Sequence, residues 1–120
     1  MKKSKRNLLF SILCAAALSV FAQTITIEKP AYRSVYDLGL QCPVQVLWTL
    51  HRSDIGDVKR QPSWQFRADV PSPLAIARHS DWTHSGYQRG HLCPAADRSG
   101  DVDMMRQTFA MSNTASQLLR

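Results

Sequence analysis

Three consecutive residues, Arg89, Gly90 and His91, place a fixed cation, a residue without a Cβ and a titratable base side by side. Arginine binds phosphate through parallel N–H donors of its planar guanidinium group. Histidine takes up a proton near neutral pH because its reference pKa is about 6.5, and glycine lets a backbone pass close to a ligand. Hydrolysis of a phosphodiester needs a bound phosphate and an activated water, so these residues predict that chemistry.

His91 also has a plainer interpretation, that of a buried histidine bonded to the backbone. That interpretation would be preferred for an isolated histidine, but the neighbouring arginine and glycine favour a functional site. Arg98 and Arg106 follow further along the chain. Both are candidates to contact a nucleic-acid backbone, with an ordinary surface arginine as the alternative for each.

Two other groups of residues could suggest a metal site. Three histidines and one cysteine lie close together in the sequence: His79, His84, His91 and Cys93. Their spacing matches no common zinc arrangement, so we do not predict a structural zinc ion. Three aspartates lie around Gly100: Asp97, Asp101 and Asp103. A calcium loop would need a glutamate that does not follow at the right distance, so a solvated polar loop is preferred.

The first 22 residues have the pattern of a secretory signal peptide. Four basic residues precede an apolar run from Leu8 to Phe21, and Ala22 offers a cleavage point before Gln23. The apolar run is short for a membrane span, although an uncleaved anchor is the alternative. We therefore predict a signal peptide over 1–22 and an exported protein, periplasmic or secreted.

The formal net charge of +6 depends largely on this leader. Four of the 15 Lys and Arg residues lie within 1–22, whereas all 9 Asp and Glu residues lie beyond it. The remaining chain is therefore only slightly basic, and its net charge is weak evidence for nucleic-acid binding. Its length permits one modest core.

Two cysteines, Cys42 and Cys93, lie outside the leader. An exported protein can oxidise such a pair to a disulfide, and closing that loop would stabilise the fold by about 4 kcal/mol on the chain-entropy model. Two free thiols are an equally good interpretation, because sequence spacing does not fix the distance between the sulfur atoms.

The elements that position these residues can be outlined from the hydrophobic pattern. Strands are predicted over 24–28, 44–50 and 90–93, and a further partly apolar strand over 104–111. Residues 114–120 resemble the first two turns of a helix. One hairpin and one helix are not stable alone in water, so they must pack on the strand at 44–50.

The segment from Ser85 to Asp97 resembles the signature of the DNA/RNA non-specific endonucleases, which are ββα-metal, or His-Me finger, nucleases. It reads Ser-Gly-Tyr-Gln-Arg-Gly-His-Leu-Cys-Pro-Ala-Ala-Asp. Phe109–Asn113 is similar to the family's second strand, Phe66–Asp69 to a segment upstream of the signature, and the region of Trp48 to an early strand. The resemblance covers most of residues 35–120.

The resemblance implies an α+β fold in which a ββα-metal core packs on an antiparallel sheet. It implies a metal-dependent hydrolase that cuts DNA and RNA without sequence specificity. The histidine that matches His91 would be the general base, and the arginine that matches Arg89 would lie beside the scissile phosphate. A divalent cation, usually Mg²⁺, would stabilise the leaving oxygen.

The chain departs from the family pattern in two places. Gln88 stands where an aspartate is usual, and glutamine can form hydrogen bonds but carries no charge. The metal-binding asparagine of the family lies on a helix about two to three turns beyond the position of Asn113. The chain ends at Arg120, so the resemblance implies that residues 23–120 are the N-terminal and central part of a non-specific endonuclease domain, incomplete at the C-terminus. We expect a final helix that is cut short and no metal ligand within this chain. The alternative function is a catalytically inactive remnant that at most binds nucleic acid.

Overall fold

An antiparallel three-stranded sheet forms the first part of the structure, a computed structural model that describes residues 23–119. Its strands are β1 (Thr24–Glu28), β2 (Arg33–Asp37) and β3 (Cys42–Leu47), in the order β1-β2-β3. The alternating Thr-Ile-Thr-Ile sequence forms β1 as predicted. The predicted signal peptide lies outside the described residues.

The central strand, β2, was not predicted from the sequence. It pairs with β1 on one side and with β3 on the other, so its backbone donors and acceptors are used in the sheet. Ser34 is fully buried within it and donates its hydroxyl to the carbonyl of Ser112, 2.5 Å away. The next strand, β3, begins two residues earlier than predicted and ends at Leu47 rather than at residue 50.

A two-stranded antiparallel hairpin carries the signature residues. It consists of β4 (Tyr87–His91) and β5 (Thr114–Leu118), with Gly90 opposite Ala115 and His91 opposite Thr114. The prediction of a helix beginning at residue 114 was therefore wrong for this segment. The second strand begins directly after Asn113 instead of ending there.

Residues 114–118 form a strand rather than a helix because they pair with β4 along its whole length. Such a ladder satisfies donors and acceptors that an isolated, two-turn helix would leave largely exposed. Within the described residues no helix follows β5, so the last element of a ββα unit is not observed there.

The one α-helix of the described residues is α1 (Val102–Gln107), within a region where the sequence predicted a polar loop and then a strand. Asp101 caps it, because its carboxylate accepts hydrogen bonds from the amides of Asp103 and Met104. The remaining helical segments are short 3₁₀ turns: Arg52–Asp54, His79–Trp82, Ala95–Arg98 and Met111–Asn113.

Two small hydrophobic clusters lie beneath the hairpin. The first consists of Phe66, Met105, Phe109 and Met111, and the second of Ala31, Tyr32 and Cys93. Both cysteines outside the leader are free thiols, with Cys93 fully buried and Cys42 partly buried. Burial raises the pKa of the Cys93 thiol to about 11, which keeps it protonated at neutral pH.

The described residues therefore form antiparallel sheets with a few short helices, an arrangement compatible with a nuclease domain. The α component is smaller than the α+β prediction implied. A search of residues 23–119 for a helix of sufficient length and hydrophobicity to cross a membrane found none.

Candidate active site

Arg89 and His91 lie two residues apart on β4, so their side chains leave the same face of the hairpin. The guanidinium group of Arg89 is anchored on one side. Its Nε donates to the carbonyl of His79 at 2.7 Å, and its Nη2 donates to Thr83 Oγ1 at 3.2 Å. The other guanidinium N–H groups make no hydrogen bond within the described part of the chain and are free to bind an anion.

The imidazole of His91 lies between two phenylalanine rings. Its centroid is 4.7 Å from that of Phe66 and 4.5 Å from that of Phe109, which it meets edge to face. The Nε2 atom is buried and has no hydrogen-bond partner among the residues described. Burial, followed by the positive charge of Arg60, lowers the pKa of His91 to about 4.

This environment keeps the imidazole neutral at pH 7, which is the form that accepts a proton. It also makes His91 a weaker base than a histidine of ordinary pKa. Water must reach the nitrogen before His91 can act, and in this arrangement Phe66 and Phe109 cover the ring.

Arg60 is a candidate site residue that the sequence analysis missed. It lines a cleft of about 450 Å³ together with Arg89, and its guanidinium carbon lies 5.1 Å from the centre of the Phe109 ring. The residue belongs to a polar loop far from the signature in sequence, so only the fold brings it near His91. The loop offered no local signal beyond its own positive charge.

His79 links the two parts of the site. Its carbonyl holds Arg89, and its Nδ1 accepts the backbone amide of Phe66 at 3.1 Å. Burial and the charge of Arg89 lower the pKa of His79, which favours the unprotonated Nδ1 that this bond requires. His79 therefore contacts both the arginine and the backbone of the residue that covers His91.

Asn113 is buried, and its side-chain amide forms hydrogen bonds with the backbone. Its Oδ1 accepts the amide of Cys93 at 2.8 Å, and its Nδ2 donates to the carbonyls of Cys93 and Thr108, each at 2.9 Å. These bonds fix the chain directly after β4 and hold the Asn113 amide against the backbone. Within residues 23–119, no group of three or more His, Cys, Asp or Glu side chains could hold a metal ion.

Arg98 lies in the interior of the protein, which contradicts its prediction as a substrate-binding residue. It is 3% exposed. Its guanidinium donates to the carbonyls of Ala31 and Thr49 and forms an ion pair with Asp54 at 3.1 Å. Its donors are used within the protein, so it stabilises the fold. Arg98 is therefore neither a substrate-binding residue nor a surface arginine.

Arg106, the other candidate for substrate binding, is exposed on α1. Its guanidinium carbon lies 5.9 Å from the centre of the Trp64 ring. The structure thus separates the two candidate arginines: Arg106 remains available to a ligand, and Arg98 does not.

A neighbouring side chain lies close to the glycine of the signature. A Cβ at Gly90 would lie 2.2 Å from atoms of the Gln117 side chain, so this exposed and flexible side chain would have to turn away. In this structure the group that lies close to Gly90 is therefore the Gln117 side chain of β5. Gln88 is exposed and lies opposite Gln117 in the register.

Comparisons with known proteins agree with the signature. Residues 12–119 match the model of the DNA/RNA non-specific endonuclease family. The chain is 33% identical over 72 residues to a nuclease of Nostoc sp., which covers 60% of this chain and 26% of that protein. It is 34% identical over 85 residues to the human mitochondrial nuclease EXOG, covering 68% of this chain and 23% of that protein.

A further relative is the mitochondrial nuclease 1 of Schizosaccharomyces pombe, 32% identical over 89 residues, which are 72% of this chain and 28% of that protein. The chain thus spans about a quarter of the length of these relatives. The family match extends over most of the sequence and includes the residues of the candidate site. On this evidence the chain belongs to the DNA/RNA non-specific endonuclease family.

Proposed function

We propose that the protein hydrolyses phosphodiester bonds of DNA and RNA without sequence specificity. The observation that carries this proposal is the position of Arg60 and Arg89, which line one cleft while Arg60 lies close enough to His91 to lower its pKa. No carboxylate lines that cleft, so a polyanion would meet only positive charge there. The family membership and the relatives named as nucleases support the same reaction.

In the proposed reaction Arg89 binds the scissile phosphate through the N–H groups that His79 and Thr83 leave free. Arg60 adds a second positive charge, which stabilises the charge that develops on the phosphoryl oxygens. His91 accepts a proton at its unpartnered Nε2 from the water that attacks phosphorus. Such a step requires movement of Phe66 or Phe109, which cover the ring. The bond from phosphorus to the leaving oxygen breaks, that oxygen takes a proton from solvent, and His91 later returns its proton to solvent.

Dependence on Mg²⁺ is a proposal that rests on the family resemblance. A bound divalent cation would neutralise phosphate charge and stabilise the leaving oxygen. The described residues do not fit such an ion: they contain no group of three or more His, Cys, Asp or Glu side chains that could hold it, and the amide of Asn113 is bonded to Cys93 and Thr108.

The second candidate function is binding of nucleic acid without cleavage. One observation favours it, the shielded Nε2 of His91. Under this alternative Arg60 and Arg89 would still attract phosphates, and binding would weaken with added salt.

Cleavage of plasmid DNA and of RNA by the purified protein, with Mg²⁺ and with a chelator in its place, tests both functions. The His91→Ala variant should lose activity by about 100-fold or more, as expected for loss of a positioned base. His84→Asn is the matched control, because His84 is exposed and its φ of 59° suits asparagine. Salt-sensitive binding with no cleavage by the unaltered protein would support the second function.

We also infer that residues 1–22 direct export and are removed, which would make the protein periplasmic or secreted. The basic head and short apolar run support this inference. N-terminal sequencing of protein recovered from the cell envelope and medium tests it, with Gln23 as the expected first residue. An intact Met1 in exported protein would contradict the cleavage.

A further inference from the structure

A cleft of about 490 Å³ lies beside the candidate active site on the side of α1. The residues that line it are Ser63, Trp64, Gln65, Arg67, Arg106 and Phe109. The two arginines are the only charged side chains among them. Within the part of the chain that the structure describes, neither guanidinium group has a hydrogen-bond or ion-pair partner, whereas Arg89 and Arg98 are held by such contacts.

This cleft is connected to the candidate site by two residues. Arg67 also lines the neighbouring cleft, of about 710 Å³, which contains Arg89 and His79. The ring of Phe109 lines the first cleft and contacts His91 at 4.5 Å. Arg106, Arg67 and Arg89 therefore follow one another along a surface on which no Asp or Glu lines either cleft.

Contacts with neighbouring residues hold the backbone of Arg67 and the side chain of Arg106. The backbone of Arg67 bonds to Phe109 and Met111, with N–O distances of 3.0 and 2.9 Å. The guanidinium of Arg106 lies over the indole ring of Trp64, and that ring packs edge to face on Phe109 at 5.3 Å. The contact with Trp64 therefore reduces the conformational entropy that the Arg106 side chain loses on binding an anion.

We propose that Arg67 and Arg106 form a second phosphate subsite, which holds the backbone phosphate of a nucleotide that flanks the one to be cut. The inference rests on the proposed function, because the same strand must also occupy the cleft of Arg89. The ligand is a phosphodiester within an oligonucleotide. Trp64 contributes by supporting Arg106, since the guanidinium already covers one face of the indole.

Binding to a fluorescein-labelled 12-nucleotide oligothymidylate tests the subsite without any need for catalysis. In a His91→Ala background, the double variant Arg67→Gln, Arg106→Gln should bind at least about 10-fold more weakly. The slope of log K against log salt concentration should become shallower by about 0.7, since the subsite holds one phosphate and each phosphate contact with a single strand contributes about 0.7.

The matched control is Arg33→Gln, Arg52→Gln, which removes the same charge from exposed positions on β2 and on the first 3₁₀ turn. An equal loss of affinity in the control, or an unchanged slope in the double variant, would overturn the proposal. If the double variant fails to fold, Arg106→Gln alone replaces it, because residue 106 is at an exposed helical position. This single variant should show about half the change in slope.

Two further measurements separate this inference from the proposed function. With His91 retained, the double substitution should lower kcat/KM for the 12-mer at least about 10-fold more than for the p-nitrophenyl ester of thymidine 5′-monophosphate, which has no flanking phosphate. Inorganic phosphate should not displace the 12-mer at equal concentration of phosphate groups, because it cannot occupy both clefts as one ligand. Displacement at that concentration would indicate a site for free phosphate and would contradict the subsite.

Discussion

The backbone carbonyl of His79 accepts a 2.7 Å hydrogen bond from Nε of Arg89, which fixes one edge of the guanidinium group. The imidazole of the same residue accepts the amide of Phe66, whose ring covers His91. His79 thus contacts Arg89, which is proposed to bind phosphate. It also contacts the backbone of Phe66, whose ring covers the proposed base.

A His79→Ala substitution separates these two contacts. The carbonyl that holds Arg89 remains, but the Phe66 amide loses its acceptor, so we expect the free energy of unfolding to fall by about 1 kcal/mol. Urea denaturation followed by tryptophan fluorescence measures the change. Ser80→Ala, at an exposed neighbouring position, is the control. An unchanged midpoint for His79→Ala would show that the Nδ1 bond has no net effect.

The stability of the fold should decrease between about pH 6.5 and pH 4 because of His91. The unfolded chain binds a proton at this residue near pH 6.5, whereas the folded protein does so only near pH 4. Within that interval the unfolded state binds more protons, so lower pH favours unfolding. His79, with a pKa lowered in the same direction, adds to the effect.

Urea denaturation at several pH values from 7 to 4 checks this expectation. His91→Gln cannot titrate, so its free energy of unfolding should depend less on pH than that of the unaltered protein. His84→Asn removes an exposed histidine and should retain the original dependence. Equal pH dependence in the His91→Gln variant and the unaltered protein would mean that His91 is not buried as a neutral group.

Some of this structure follows from local sequence and some does not. The alternation of Thr24–Glu28 predicts β1 correctly, because each residue's exposure depends on its own side chain. Ser34 on β2 is polar yet buried, since its hydrogen-bond acceptor is the carbonyl of Ser112, 78 residues away. Thr114–Leu118 has no strong preference, and pairing with β4 decides that it is a strand.

The same distinction applies to the candidate site. Arg89 and His91 could be found because they are neighbours in the sequence. The approach of Arg60 and the burial of Arg98 depend on contacts with residues far along the chain. A single sequence does not distinguish an arginine that lines a cleft from one that binds backbone carbonyls in the interior.

Removal of the Arg98 side chain should unfold the protein rather than weaken binding of nucleic acid. Arg98→Met leaves the carboxylate of Asp54 without its partner and the carbonyls of Ala31 and Thr49 without donors, at a cost of about 3–5 kcal/mol. Thermal denaturation by circular dichroism measures this loss. Arg106→Met, at an exposed position, should change the Tm little, and a similar Tm for both variants would contradict the structural role of Arg98.

Gly90 and Gln117 should show coupling in a double-mutant cycle. Gly90→Ala places a methyl group about where the exposed Gln117 side chain crosses the hairpin, so that side chain must change rotamer and we expect a loss of at most about 1 kcal/mol. Gln117→Ala alone should cost little because residue 117 is exposed. The two changes together should recover most of the loss, because alanine at 117 has no atoms beyond Cβ to clash.

Urea denaturation of the four proteins in this cycle measures the coupling energy. Gly86→Ala is an informative control: no atom lies within 4 Å of a Cβ at that position, but the backbone φ of 85° disfavours alanine. Its cost should therefore be independent of residue 117. Additive effects at 90 and 117 would show that the glycine is required for a reason other than Gln117, such as the approach of a ligand to β4.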